Sequence, residues 1–420
     1  MPSMDRKKVS ILKILYLCHR IPYPPNKGDK IRSFNEVRYL AARHEVDLLC
    51  LADEPEDLKY QADLEKICKR VAVYSLDKTH AKVRGVFSLV RGGSISVGYF
   101  YQRRVQDCCN RWLKERRYDA IVCFSSTMAE YVFRAQMPAA RPRLIMDFCD
   151  VDSDKWIQYA SESRWPMNWV YRLENRRLAD YESRIYRDFD HSVVISEAEA
   201  ALFRQVCPEA RDLAVIANGV DSEYFDSSWC DDSVSQSLAQ TNQGKASCPP
   251  TIVFTGAMDY HANVDGVCWF SREIWPTLKK MIPDLQFTIV GSKPAPAVCD
   301  LAVMDGITVT GFVEDVRPYY QSADLCVIPL RMARGVQNKV LEAMAMGKAV
   351  VTTSKANAGI MAKNREHLRV AETPEQFIEV IKELLNEQEK RVCLGLAARA
   401  FVVDNYNWAV NMDKLERLLI

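Results

Sequence analysis

Short apolar, β-branched runs alternate with longer stretches of helical period along almost the whole chain. Residues 13–17, 46–51, 71–75, 120–124, 143–146, 192–195 and 213–216 read as strands. A second series follows at 251–255, 286–290, 307–310, 324–328 and 349–353. Between them, stretches such as 30–43, 265–281 and 374–385 carry apolar residues at helical spacing. Strands that are apolar throughout, rather than alternating, are buried on both faces, which points to parallel sheets covered by helices. Two such series in one chain predict an α/β protein built from two doubly wound, Rossmann-type domains.

Residues 226–250 are rich in Ser, Asp, Gln and Asn and nearly empty of large apolar side chains. They read as a polar linker or surface excursion. The first domain is therefore expected over 1–225 and the second over 251–400, with 401–420 a C-terminal helix returning to the first domain. Two stretches have two readings each. Residues 154–187 are helical and strongly charged, with Trp156, Trp165, Trp169 and Tyr171 interleaved. They form either a helix pair that packs its aromatics on the core or a lipid-surface contact. Residues 83–101 are apolar and basic with glycines, and they are read either as core packing or as a contact with a membrane-bound acceptor.

At 420 residues the chain has room for two domains of ordinary size. A net charge of +1 suggests neither nucleic acid nor an anionic membrane as a partner. The fourteen cysteines show no C-x-x-C and no Cys/His spacing of a zinc site. Buried, reduced thiols are expected, as suits a reducing cytoplasm. The apolar run 11–18 is too short for a secretion signal, and no stretch approaches about 18 consecutive apolar residues, so no membrane span is expected.

In doubly wound folds, ligands sit beyond the carboxyl ends of strands, at helix N-termini. Two loops fit that rule. The first, C-H-R-I-P-Y-P-P-N-K-G-D-K at 18–30, leaves a strand and opens a helix. Gly28 permits close backbone approach to a phosphate, and Lys27, Lys30 and Arg32 add charge. A plain strand-to-helix turn explains the same residues. The second, P-L-R-M-A-R-G-V-Q-N-K-V-L-E-A-M-A-M-G at 329–347, is richer. The N–H groups of Gly335, Val336, Gln337 and Asn338 would face an anion, with Lys339 beside it. Glu342, on the same face, would accept hydrogen bonds from ribose hydroxyls. The plainer alternative is a surface ion pair between Lys339 and Glu342.

Residues 338–347, N-K-V-L-E-A-M-A-M-G followed by K-A-V-V, resemble the donor-site helix of family 4 glycosyltransferases of the GT-B fold. In the same order, V-I-S-E at 194–197 resembles the segment that closes that family's first domain. N-G-V-D-S-E-Y-F at 218–225 resembles its hinge. G-F-V-E-D-V-R-P-Y-Y-Q-S-A at 311–323 resembles a further family segment. Residues 15–35, 256–266 and 334–345 also resemble the sugar transferases of PEP-CTERM and exosortase-associated exopolysaccharide clusters. The resemblance implies two Rossmann-like domains facing across a cleft and a retaining, metal-independent transferase of the EC 2.4 class. It implies a nucleotide-sugar donor and a glycan or lipid-linked acceptor. The setting would be a bacterial cytoplasm, or peripheral contact at the inner face of the membrane. No cofactor is expected.

Two departures stand out. The family usually has two donor-site glutamates eight positions apart; the second is Glu342, but Arg334 stands at the first, which the family uses to contact the donor sugar. The loop 256–266, which includes Gly256 and His261 near the expected diphosphate, has no Arg or Lys. Arg331, Arg334 and Lys339 are expected to make up that charge. On the acceptor side, many relatives carry a histidine where Cys149 and Asp150 stand. Asp150 is the candidate to polarise the acceptor hydroxyl, and His19, bordering the Gly28 loop, is a second candidate. An acidic N-cap cluster explains Asp147, Asp150, Asp152 and Asp154 equally well. The D-x-D triplet Asp150–Asp152 is not expected to bind metal.

Two other classes remain open. A nucleotide-sugar epimerase would turn over donor without acceptor. A non-catalytic nucleotide-sugar- or glycan-binding scaffold would bind without turnover, and the missing glutamate keeps that reading in play. A dinucleotide oxidoreductase is disfavoured, since no G-x-G-x-x-G follows the first strand.

Overall fold

The structure, a computed structural model, describes residues 11–25, 27–229, 249–333 and 335–420. Arg334 and residues 230–248 of the expected linker lie outside the described residues. The chain forms two compact units, Met1–Ala217 with Ala409–Ile420, and Asn218–Trp408.

The first unit holds a seven-stranded parallel sheet: β1 (Lys13–Cys18), β2 (Glu45–Ala52), β3 (Arg70–Ser75), β4 (Ala120–Phe124), β5 (Arg143–Cys149), β6 (His191–Val194) and β7 (Leu213–Val215). Their order is β3-β2-β1-β4-β5-β6-β7. β1 lies between β2 and β4, with Ile14 opposite Val46 on one side and Ala120 on the other. Ile14 to Cys18 are wholly buried, which explains why this strand reads as one apolar run.

The second unit holds a six-stranded parallel sheet: β8 (Thr251–Thr255), β9 (Gln286–Val290), β10 (Ile307–Val309), β11 (Leu325–Ile328), β12 (Ala349–Thr352) and β13 (Arg369–Val370), in the order β10-β9-β8-β11-β12-β13. In each sheet the order reverses at the first strand. The crevice at that reversal, beside the carboxyl ends of β1 and β4 or of β8 and β11, is where such folds take ligands.

The observed division falls at Ala217 and Trp408, not at 225 and 400. Hydrogen bonds give the reason. Arg399 donates to the Phe225 carbonyl at 3.0 Å, and the Val220 amide donates to the Tyr406 carbonyl at 2.8 Å. Residues 218–226 are thereby tied to the second unit. The last part of the chain is two helices, Gln388–Asn405 and Trp408–Leu419. Glu416, on the latter, takes a hydrogen bond from the Tyr39 hydroxyl at 3.1 Å and meets His44 Nε2 at 3.0 Å, within the first unit.

The single helix expected over 265–281 is three segments: His261–Trp269, a π-helical turn at Phe270–Ile274, and Trp275–Met281. Pro276, which has no N–H to donate, stands at the start of the last segment, where the ladder widens. Residues 154–187 form two helices, Asp152–Glu162 and Met167–Asp188. Core packing of their aromatics is corrected in part. Trp156 and Tyr171 meet at 5.4 Å, but Trp165 and Trp169 are 82% and 60% exposed. The twelve described cysteines form no disulfide, and nine of them are buried.

Candidate functional site

In the second unit, β8 ends at Thr255 and Gly256 turns the chain with a φ of 153°. A Cβ at Gly256 would press on the Asn263 amide at 2.8 Å and on Lys339 Cε at 3.1 Å. A side chain at Gly256 would therefore displace the groups gathered there. Lys339 Nζ donates to Asn263 Oδ1 at 3.0 Å and to Gln337 Oε1 at 3.4 Å. Lys339 belongs to the helix Asn338–Ala345, which follows β11 after a loop that turns at Gly335, φ 57°. Gln337 stands at the N-cap but gives that helix no side-chain cap. The first amides of an uncapped helix point outward with partial positive charge. Asn338 Oδ1 is buried without a hydrogen-bond partner.

Burial pushes the Lys339 ammonium down to about 8, against a smaller opposing pull from Glu342. Burial raises Glu342 above the usual carboxylate range, while the Tyr320 hydroxyl and Lys339 pull it back. The Tyr320 hydroxyl is 3.1 Å from Glu342 Oε2 and 2.6 Å from Thr255 Oγ1. Lys339 and Glu342 are thus half-buried and each held by its own partner, not spent on a surface ion pair with each other. Gly335, Val336, Gln337 and Asn338 lie where the sequence puts them, at the mouth of this helix. Arg331 does not join them. Its guanidinium is bound in two places to the Asp265 carboxylate, which neutralises it. His261 is exposed at the first turn of its helix, five residues beyond Gly256.

In the first unit, the carboxyl ends of β1, β4 and β5 open onto a cavity of about 350 Å³. His19, Arg20 and Asp29 form one wall, Phe100, Phe124 and Phe148 a second, and Cys149, Asp150, Asp152, Lys155, Trp156 and Tyr159 a third. The His19 ring stacks on Phe124 at 5.8 Å and meets Phe100 edge-on at 5.4 Å. Its Nε2 lies 3.4 Å from Asp29, and its Nδ1 is buried without a hydrogen-bond partner. Burial alone would raise Asp29, but contacts from His19 and Arg20 hold its carboxyl far below the usual range.

Asp150 follows Cys149, whose φ of 61° is strained for a residue with a side chain. β5 breaks register against β6 at this point. Asp147 holds the turn, since its Oδ1 accepts the Cys149 amide at 2.8 Å. Asp150 Oδ2 lies 3.3 Å from Lys155 Nζ, and Oδ1 is buried without a hydrogen-bond partner. Lys155 also reaches Asp152 at 2.8 Å. An ammonium therefore lies against both carboxylates of the D-x-D triplet.

The charges expected at the Gly28 loop require a correction. Lys30 is buried against Asp57 at 2.6 Å. Arg32 is wholly buried, with Nε 3.0 Å from both Asp147 and Glu36 and Nη1 2.8 Å from the Ile216 carbonyl. Neither is available to a phosphate. Gly28 itself opens the helix Gly28–Ala41, and the acid of that first turn is Asp29. Sequence reasoning did not single out Asn263, Thr255, Tyr320 or Lys155. The G-x-v-x-D-v-x-x-y-y pattern at 311–323 contained Tyr320 but carried no sign that its hydroxyl would reach Glu342.

A family model described as "Glycosyl transferases group 1" matches residues 249–387, and one described as "Glycosyl transferase 4-like domain" matches residues 33–219. A Klebsiella pneumoniae protein named "Uncharacterized 44.6 kDa protein in cps region" is 21% identical over 411 residues, covering 94% of this chain and 96% of its own length. Sucrose-phosphate synthase from Thermosynechococcus elongatus shares the fold with a TM-score of 0.69 at 16% identity, over 97% of this chain and 98% of its own. HepE from Anabaena, solved with UDP, gives 0.67 at 16% identity, over 97% and 99%. WaaG, described as a glycosyltransferase of lipopolysaccharide biosynthesis, gives 0.66 at 17% identity, also over 97% and 99%.

Proposed function

Because the chain belongs to the family 4 glycosyltransferases of the GT-B fold, we propose that it moves a sugar from a nucleoside-diphosphate donor to a glycan or lipid-linked glycan in exopolysaccharide synthesis, with retention and without a metal. The observation that carries the donor assignment is the convergence of Lys339, Asn263, Gly256 and an uncapped helix N-terminus beside β8 and β11. Lys339 and the helix amides stabilise the diphosphate as it leaves. The Tyr320 hydroxyl fixes one oxygen of Glu342, which orients the carboxylate toward the ribose hydroxyls. HepE was solved with UDP, which makes uridine diphosphate the first nucleotide to try.

The cavity of the first unit suits a sugar acceptor. Aromatic rings cover the apolar faces of a pyranose, and Asp150 Oδ1 and His19 Nδ1 offer hydrogen-bonding positions for its hydroxyls. In a retaining front-face transfer the acceptor proton passes to the departing phosphate oxygen. Asp150 then needs only to orient and polarise the hydroxyl. The charge that a metal would supply is carried by Lys339 at the donor, and Lys155 offsets Asp150 and Asp152. The Klebsiella relative, from a cps region, supports a role in polysaccharide synthesis. A lipid-linked acceptor would set the chain at the cytoplasmic face of a membrane as a peripheral protein.

Arg334 in place of the first donor-site glutamate is the feature that favours the scaffold reading. The test is release of nucleoside diphosphate from a panel of nucleotide sugars, with and without glycan and polyprenyl-diphosphate-linked sugar acceptors. Release that depends on an acceptor supports transfer. Donor isomerised without acceptor supports the epimerase reading, and binding without any turnover supports the scaffold.

A further inference from the structure

The helix Lys78–Val90 is amphipathic the wrong way round for a soluble protein. It packs inward through its two smallest residues, Ala81 and Gly85, with Gly85 close against Ile95. Its bulky residues face out: Val83, Val86, Phe87 and Val90 are 64%, 58%, 53% and 79% exposed. Their spacing of i, i+3, i+4 and i+7 makes them one stripe, roughly opposite the buried face.

The charge around the stripe says what covers it. Residues 78–106 contain six Lys and Arg and no Asp or Glu, in a chain whose totals nearly balance at 56 and 55. Lys78 pairs with Glu54 at 2.8 Å. Among the described residues, Lys82 and Arg91 form no ion pair, whereas Arg84 turns inward, donating to the Tyr99 carbonyl at 3.1 Å with its Nε buried. Lys82 lies on one flank of the stripe and Arg91 on the other, with the Arg91 guanidinium 4.0 Å over the Phe87 ring. A protein partner would be expected to bring mixed charge, whereas an apolar stripe with bases on both flanks matches an anionic headgroup layer over acyl chains. Arg177 donates to the carbonyls of Leu89 and Gly93 and so ties the end of this helix to Met167–Asp188. That second helix carries the exposed Trp169, and Trp165 stands just before it. Tryptophan is enriched at the interface depth of bilayers.

We propose that the stripe Val83, Val86, Phe87 and Val90, with Lys82 and Arg91, is a docking surface for an anionic lipid bilayer. The helix Ile95–Phe100 that it packs on contributes Ser96 and Phe100 to the acceptor cavity. Lipid contact and acceptor entry therefore lie on adjoining elements. The proposal takes its purpose from a lipid-linked acceptor, but the binding itself does not depend on transfer.

The test is co-sedimentation of the whole chain with vesicles of phosphatidylglycerol and phosphatidylethanolamine, against vesicles of phosphatidylcholine alone, without donor or acceptor. Wild type is expected to bind the anionic vesicles and to be weakened by 0.5 M salt. Phe87→Asp with Val90→Asp is expected to lower binding roughly tenfold or more, while its nucleotide-induced thermal shift stays that of wild type. Three results would overturn the proposal: no binding to anionic vesicles, equal binding by the variant, or a solution dimer that the variant dissociates while neither protein sediments. Because no sugar is present, any of them leaves the transferase reading standing.

Discussion

Lys339→Ala is expected to lower kcat/KM for the nucleotide sugar by about 10²–10³, the cost of losing one preorganised charge on a leaving group. Among the described residues Lys339 is the cation beside the Gly256 turn, and Arg331, also expected to supply charge there, is neutralised by Asp265. Lys339→Arg is expected to rescue poorly, because the side chain lies against Gly256 and Asn263 with no space for a planar guanidinium. The pH dependence gives the prediction a second edge. Burial pushes Lys339 down to about 8 in the unliganded chain, and a diphosphate needs the protonated form. Donor affinity should therefore be flat below pH 7 and fall as pH rises through 8, by up to about tenfold per unit. The alanine variant should lose that fall. Titration of nucleotide-sugar affinity, whose phosphates do not titrate in this range, from pH 6 to 9.5 checks both, and a variant with unchanged affinity would remove Lys339 from the site.

Arg32→Met is expected to destabilise the first unit by about 3–5 kcal/mol, the usual cost of leaving a buried charge without its partner. Arg32 meets two buried carboxyls, Asp147 and Glu36. Burial, then the neighbouring Asp147, raises Glu36 well above the carboxylate range, and its other oxygen accepts from the Tyr16 hydroxyl at 2.7 Å. Asp147 is the carboxylate that Arg32 holds through both Nε and Nη2, at 3.0 and 2.5 Å. Removing Arg32 leaves it bare in the core and loosens the Cys149 turn that presents Asp150. The unfolding transition of the first unit should fall by roughly 10 °C. Arg32→Met with Asp147→Leu should recover most of that loss, because an apolar replacement of a whole buried pair is far less costly than half of one. The double variant would still lack the Asp147 hydrogen bond to Cys149, so its turnover should stay low. Thermal unfolding of both variants decides the matter. A single variant as stable as wild type would mean that the ion pair contributes nothing.

The fold was legible because burial on both faces turns each central strand into an uninterrupted apolar run. Twelve strands were found that way, β1 and β8 among them. β13 was missed because two residues, Arg369 and Val370, carry no pattern. The helix Asn338–Ala345 and the turn before it were legible because the candidate residues are local: Gly335, Asn338, Lys339 and Glu342 fall within eight residues. What failed was non-local. Lys30 and Arg32 read as charges for a phosphate at the Gly28 loop, yet their partners Asp57 and Asp147 lie 27 and 115 positions away. Arg331 found Asp265 across 66 positions. Periodicity in 154–187 showed aromatic residues on helices but could not say which of them face solvent. Trp165 stands beside the Pro166 break, where the helical face is lost.

The central claim is that the second unit binds a nucleoside diphosphate through the helix Asn338–Ala345. The most direct measurement is thermal stabilisation by a panel of nucleoside diphosphates, in wild type and in Glu342→Ala, each with and without chelator. A ligand that binds only the folded chain raises its apparent stability by mass action. The account predicts a rise with one nucleotide that is indifferent to chelator and lost in Glu342→Ala. A rise that survives Glu342→Ala, or no rise with any nucleotide, would contradict it.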